Sequence, residues 1–178
     1  MVDKDTKIRI LPLFALLDGE NLRHKPCTLR MEQSFAIISI MTSPFQPVHI
    51  PKNENCLGEL RVNFPDLVKP IEGFEAHELF SPEIANKIWA FLETVPLAKT
   101  LVIHCEAGVS RSPAVGAAIS KVLGQDYEEY FTKFIPNPLV YRIMLETWNK
   151  NHDIKEPVVI PPQKHPDGYD ENLADFSL

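Results

Sequence analysis

Residues 104–112 run HCEAGVSRS, and two side chains in that run suit chemistry on an anion. Cys105 offers a thiolate nucleophile. Arg111 offers a planar, permanently charged fork that can grip two oxygens at once. Five residues, Glu106 to Ser110, lie between them. From Ala107 onward the side chains are short, so consecutive backbone N–H groups can turn toward one centre and form an anion nest. Gly108 can take a φ that other residues resist. The expected oxyanion-contacting set is therefore Glu106, Ala107, Gly108, Val109, Ser110 and Arg111. Glu106 is a carboxylate in an anion-binding loop. It should point to solvent or pair with a basic neighbour.

The flanking elements position this loop. TLVIHC before it is an apolar run and reads as a buried strand. SPAVGAAISKVLG after it reads as a helix over 112–123, rich in small residues and ended by Gly124. A strand feeding a helix through such a loop sets the helix N-terminus, with its partial positive charge, against the anion. Cys105 then sits where a thiolate is stabilised. Upstream, KIRILPLFALL (7–17) reads as a strand running into a loop or short helix, FAIISIM (35–41) as a strand, and ELRVNF (59–64) as a strand ended by Pro65. The stretch 42–55 between the last two carries Pro44, Pro47 and Pro51 and reads as a loop. Ser81-Pro82-Glu83 has the chemistry of a helix start, with Ser as N-cap. Ile84, Ile88, Phe91, Leu92 and Val95 follow at helical spacing, and Pro96 stops the helix. Further helices are expected over 126–135 and 138–150. The expectation is an α/β fold in a single domain over 1–150. Its centre is a mostly parallel sheet of about four to five strands flanked by helices. Residues 151–178 form a Pro-rich polar tail, extended or partly disordered, with a regulatory or partner-binding role as the alternative.

His104, Cys105, Gly108, Arg111 and Ser112 fill every defining position of His-Cys-x5-Arg-Ser/Thr. In this the chain resembles the protein tyrosine phosphatase superfamily. HCEAGVSRSPA, the upstream FPDL and PNPLVYRIMLE together are similar to its small bacterial and phage-type, dual-specificity-like branch, over roughly residues 8–149. The resemblance implies a dual-specificity-phosphatase-like fold. It also implies hydrolysis of phosphotyrosine, and of phosphoserine or phosphothreonine, through a phosphocysteine. The superfamily draws its general acid from an upstream Asp, and Asp66 in NFPDL is the match, with Glu72, Glu75 and Glu78 as competitors. Ser112 would donate a hydrogen bond to the departing thiolate. His104, next to Cys105 on a strand, points to the opposite face. The resemblance gives it the role of orienting the loop and tuning the thiol. Asn137 occupies the place of a polar residue that lies near the active site in this branch. No metal or other cofactor is implied. The expected partners are a phosphorylated protein or peptide, with phosphate, sulfate or vanadate binding at the loop.

Other readings share the motif. A module that binds phosphoproteins without turnover would usually have lost the Cys or the acid, and both are present. A phosphoinositide phosphatase would carry basic residues at the variable loop positions, which here are Glu106, Ala107, Val109 and Ser110. A sulfurtransferase-like reading fits poorly with Ser112 and a candidate acid.

Composition narrows the setting. The chain has 178 residues, 44% hydrophobic and 24% charged, which suits one soluble domain with a sizeable core. A net charge of −6, with no basic cluster, argues against nucleic-acid and membrane-surface partners. The N-terminus lacks a signal-peptide pattern, and no apolar run is long enough to span a bilayer. Cys27, Cys56 and Cys105 form neither a disulfide framework nor a zinc pattern, so a reducing cytoplasm is expected. Cys27 and Cys56 are also candidates for a thiol that resolves oxidised Cys105.

Overall fold

The two most apolar runs lie at the centre of the sheet. β2 (Phe35–Met41) and β4 (Thr100–Cys105) are buried along their whole length. Strands covered on both faces need such continuous runs rather than alternation. β1 (Lys7–Pro12) and β3 (Cys56–Asn63) flank them, giving the order β1-β4-β2-β3 with every pairing parallel. Pro12 ends β1 on the sheet edge, where a missing N–H is tolerated. This α/β architecture comes from a computed structural model that describes residues 1–17, 26–43, 48–73 and 75–163. β3 starts at Cys56 rather than Glu59, because Phe35 already pairs with Cys56.

Among the described residues four α-helices follow the expected order: α1 (Pro82–Thr94), α2 (Arg111–Val122), α3 (Glu129–Lys133) and α4 (Pro138–Asn151). Ser81 has the extended backbone of an N-cap, but its hydroxyl makes no capping bond. α3 is much shorter than the expected 126–135. Asp126 Oδ1 accepts from Glu129 N at 3.3 Å, which delays the start. At the other end Phe134 turns extended, and the chain runs out to hydrogen-bond the anion loop.

Leu101, Ile103 and Cys105 on β4 face the core formed with α1, α2 and α4, while Val102 joins Leu16, Phe35, Ile37 and Ile50 on the other face. Trp89 Nε1 donates to the Met144 carbonyl at 3.0 Å and ties α1 to α4. Gly116 lets α2 lie close to β1, since a Cβ there would stand 2.8 Å from Ile10 Cδ1. The tail to residue 163 has no helix or strand after α4, yet it is docked. Val158 packs on the core, and Gln163 Nε2 donates to the Phe131 and Phe134 carbonyls. The prolines at 44 and 47 and tail residues 164–178 lie outside the described residues. Among the described residues no helix is long and apolar enough to cross a membrane.

Candidate active site

In a parallel sheet, ligands are met outside the carboxyl ends of the strands. Cys105 is the last residue of β4, and Arg111 opens α2 six residues later. The loop between them is drawn tight against β1. Gly108 has φ +73°, and a Cβ on it would fall 2.8 Å from Pro12 N and 3.0 Å from the Leu11 carbonyl carbon. Glycine is required there on both counts.

The loop's carbonyls are tied outward. Glu106 O accepts from Leu13 N at 3.1 Å, Val109 O from Ile135 N at 3.1 Å, and Ser110 O from Asn137 N at 3.2 Å. Gly108 N–H donates to Cys105 Sγ at 3.3 Å. The N–H groups of Ala107, Val109, Ser110 and Arg111 make no hydrogen bond among the described residues. With carbonyls turned away and amides left over, this is the wiring of an anion nest. Cys105 Sγ also lies 3.2 Å from Ser112 Oγ, and both side chains are buried.

Arg111 is buried, and three protein groups hold its outer edge. Nη1 donates to Thr42 Oγ1 at 3.0 Å and to the Phe64 carbonyl at 2.9 Å, and Nη2 pairs with the Glu106 carboxylate. Its Nε–H is buried without a hydrogen-bond partner, 3.9 Å from Asp66 Oδ2. A buried donor is costly to leave unmatched. Here it is the donor an incoming oxyanion would take.

Glu106 pairs with a basic neighbour, one of its two expected alternatives. Its Oε1 also accepts the Thr42 N–H at 3.0 Å. Burial pushes the Glu106 carboxyl up. The Thr42 and Glu106 backbone N–H groups and the Arg111 guanidinium outweigh that, and they hold it below the usual carboxylate range.

Asp66 is the expected acid that the structure brings to the loop. Its Oδ1 accepts from Ser110 Oγ and from Asn137 Nδ2, each at 2.8 Å, leaving Oδ2 toward Arg111. Asn137 is also the N-cap of α4, its Oδ1 accepting from Leu139 N at 3.0 Å and Val140 N at 3.2 Å. One side chain thus starts a helix and orients the carboxylate. Glu72, Glu75 and Glu78 are exposed, and Glu78 is engaged in its own turn through Glu75 N.

His104 is fully buried on the sheet face opposite Cys105, as strand alternation requires. Neither ring nitrogen has a hydrogen-bond partner within bonding distance. Burial pushes its pKa down to about 4, against smaller raising contributions from the Cys105 backbone, Glu59 and Glu106. Cys27 and Cys56 pack against the cluster on His104's side of the sheet, whereas Cys105 faces the helices. The sheet lies between, so neither serves as a resolving thiol in this fold.

Thr42 and the Phe64 carbonyl escaped the reading of the sequence. Both follow the carboxyl end of a strand, which is the one signal that marks them. Compared with protein-family models and with curated proteins, the chain matches none.

Proposed function

We propose that the chain is a cysteine-dependent phosphomonoester hydrolase of the protein tyrosine phosphatase type, with a dual-specificity-phosphatase-like fold. The observation that carries this reading is the environment of Cys105. Its sulfur receives the Gly108 N–H and meets the Ser112 hydroxyl, at the mouth of a helix that opens with Arg111. Cys105 attacks phosphorus in line and the P–O bond to the leaving group breaks. Arg111 Nε and the unpaired loop amides take the charge of the equatorial oxygens. Asp66, protonated on Oδ2, gives its proton to the leaving oxygen. It then takes one from the water that displaces the sulfur, while Ser112 stabilises the departing thiolate.

The rim of the loop supports an aryl ester. Val109 lies on the loop, Ile135 is bonded to it, and Phe14 follows the Pro12 that abuts Gly108. Val68 and Ile71 follow Asp66. All five are exposed apolar side chains. Such a rim suits the ring of a phosphotyrosine in a protein or peptide.

The test is hydrolysis of para-nitrophenyl phosphate in the presence of EDTA. Wild type should turn over and Cys105→Ser should not, since a serine hydroxyl stays protonated where a thiol ionises. Full activity in the serine variant, or none in the chelated wild type, overturns the reading.

A further inference from the structure

A second cavity, of about 350 Å³, lies away from Cys105. Its floor includes Thr100, the first residue of the strand that ends in Cys105. Five steps along the strand separate the two, or roughly 17 Å. Arg9 and Arg30 both line it, together with Cys27 and Met31. Ile8 and Ile10 pack against the helices, so Arg9 between them faces the other side of β1, toward the cluster that Cys27 joins.

Three features single the cavity out. Neither guanidinium makes a hydrogen bond or ion pair among the described residues. Both nonetheless bear on the same thiol. Burial pushes Cys27 up, and Arg9 and Arg30 each pull against it. Thr100 is only 8% exposed, and its N–H is taken by the Ser34 carbonyl. Among the described residues the one acid on the wall is Glu32, which is exposed. Two permanent positive charges therefore share the wall of one cavity, in a chain of net charge −6. Guanidinium forks match phosphoryl oxygens. The volume sits at the small end of ligand sites, roughly 300–1,000 Å³, so it has room for more than a bare phosphate. Met31 and Cys27 offer an apolar wall for the carbon portion.

We propose that this cavity binds a small phosphomonoester, its phosphoryl group held by Arg9 and Arg30 beside Cys27. The site is independent of the chemistry at Cys105, and Cys27 reports on it. The experiment measures alkylation of Cys27 in the full chain carrying Cys105→Ser and Cys56→Ser, with inorganic phosphate and glucose 6-phosphate as probes and ionic strength held with NaCl. Both probes should slow alkylation saturably, by roughly tenfold once the probe exceeds its dissociation constant tenfold. Glucose 6-phosphate should act at the lower concentration. Arg9→Gln/Arg30→Gln should lose the protection, judged as the ratio of rates with and without probe. If that pair fails to fold, Arg30→Gln alone, at an exposed position, should weaken protection. Slowing that chloride reproduces, that does not saturate, or that persists without the arginines overturns the proposal.

Discussion

Replacing Asn137 with Asp separates the two tasks of that side chain. Its Oδ1 caps α4 through Leu139 N and Val140 N, and its Nδ2 donates to Asp66 Oδ1 at 2.8 Å. Asp is as good an N-cap as Asn, so α4 keeps its start and stability should change by less than ~1 kcal/mol. The donor, however, becomes a carboxylate oxygen facing another carboxylate. Two unit charges about 4 Å apart at an effective dielectric near 20 repel by about 4 kcal/mol. The Asp66 side chain is 38% exposed, and solvent screening brings that to about 1–2 kcal/mol. At 1.36 kcal/mol per pH unit, the proton needed for leaving-group departure is held to about one unit higher pH. The assay is the pH dependence of kcat/KM on a phosphotyrosine peptide, beside a thermal melt. The alkaline limb should move up by about one unit and be read as a property of the carboxylate pair. Asn137→Ala should instead lower stability by about 1 kcal/mol through the lost cap. A limb that stays put, or moves down, while the Asn137→Asp melt is unchanged refutes the assignment of Asp66 and its orientation by Asn137.

Arg111→Lys keeps the charge but cannot span Thr42, Phe64 O, Glu106 and an oxyanion together, so kcat/KM for an aryl phosphate should fall by at least ~100-fold. A rate within a few-fold of wild type counts against the geometry. Gly108→Ala forces a Cβ to 2.8 Å from Pro12 N at φ +73°, and denaturant unfolding should show a loss of about 1–3 kcal/mol, together with loss of turnover. An alanine enzyme with normal stability and rate would mean that the loop does not lie against β1. His104, neutral by burial with a pKa of about 4 against an ordinary 6.5, binds its proton more readily in the unfolded chain. Stability should therefore be complete above pH 6.5 and fall by up to about 3 kcal/mol as pH drops toward 4. The stability difference between wild type and His104→Gln should shrink across that window, and a constant difference refutes the assignment.

The loop was legible because its chemistry lies in one unbroken run. Cys105, Gly108, Arg111 and Ser112 need only local backbone geometry to meet, and the strand and helix beside them have unambiguous patterns. The sheet was legible for a similar reason, since FAIISIM and TLVIHC are apolar enough to be central strands. Asp66 is picked out by the resemblance, as the Asp of the FPDL run just after a strand. What brings Asp66 to the loop could not be read, because Ser110 and Asn137 lie 44 and 71 residues away in sequence. Thr42 is hidden in the same way, 69 residues from the arginine it holds. The length of α3 was misjudged because its apolar periodicity continues past the point where residues 135–137 are drawn to the loop. The separation of Cys27 and Cys56 from Cys105 depends on sheet faces, which cysteine spacing does not encode.

Glu106 brings these threads together. As a residue type it argues against anion binding, since an ionised carboxylate beside a phosphoryl group would repel it. Its position resolves the conflict. The carboxylate is held to the outer edge of Arg111 and to the Thr42 N–H. Together with Thr42 Oγ1 and the Phe64 carbonyl, it fixes the guanidinium before any ligand arrives. A long side chain held this way has already given up the rotamer freedom that it would otherwise lose on binding. The same pairing offsets one charge at the site's periphery and leaves the buried Nε–H without a protein partner. Attraction then depends on a short donor–oxygen contact rather than on long-range charge. On the proposed function, this arrangement suits a single tetrahedral phosphoryl group seated in the loop better than a polyphosphorylated ligand lying across its surface.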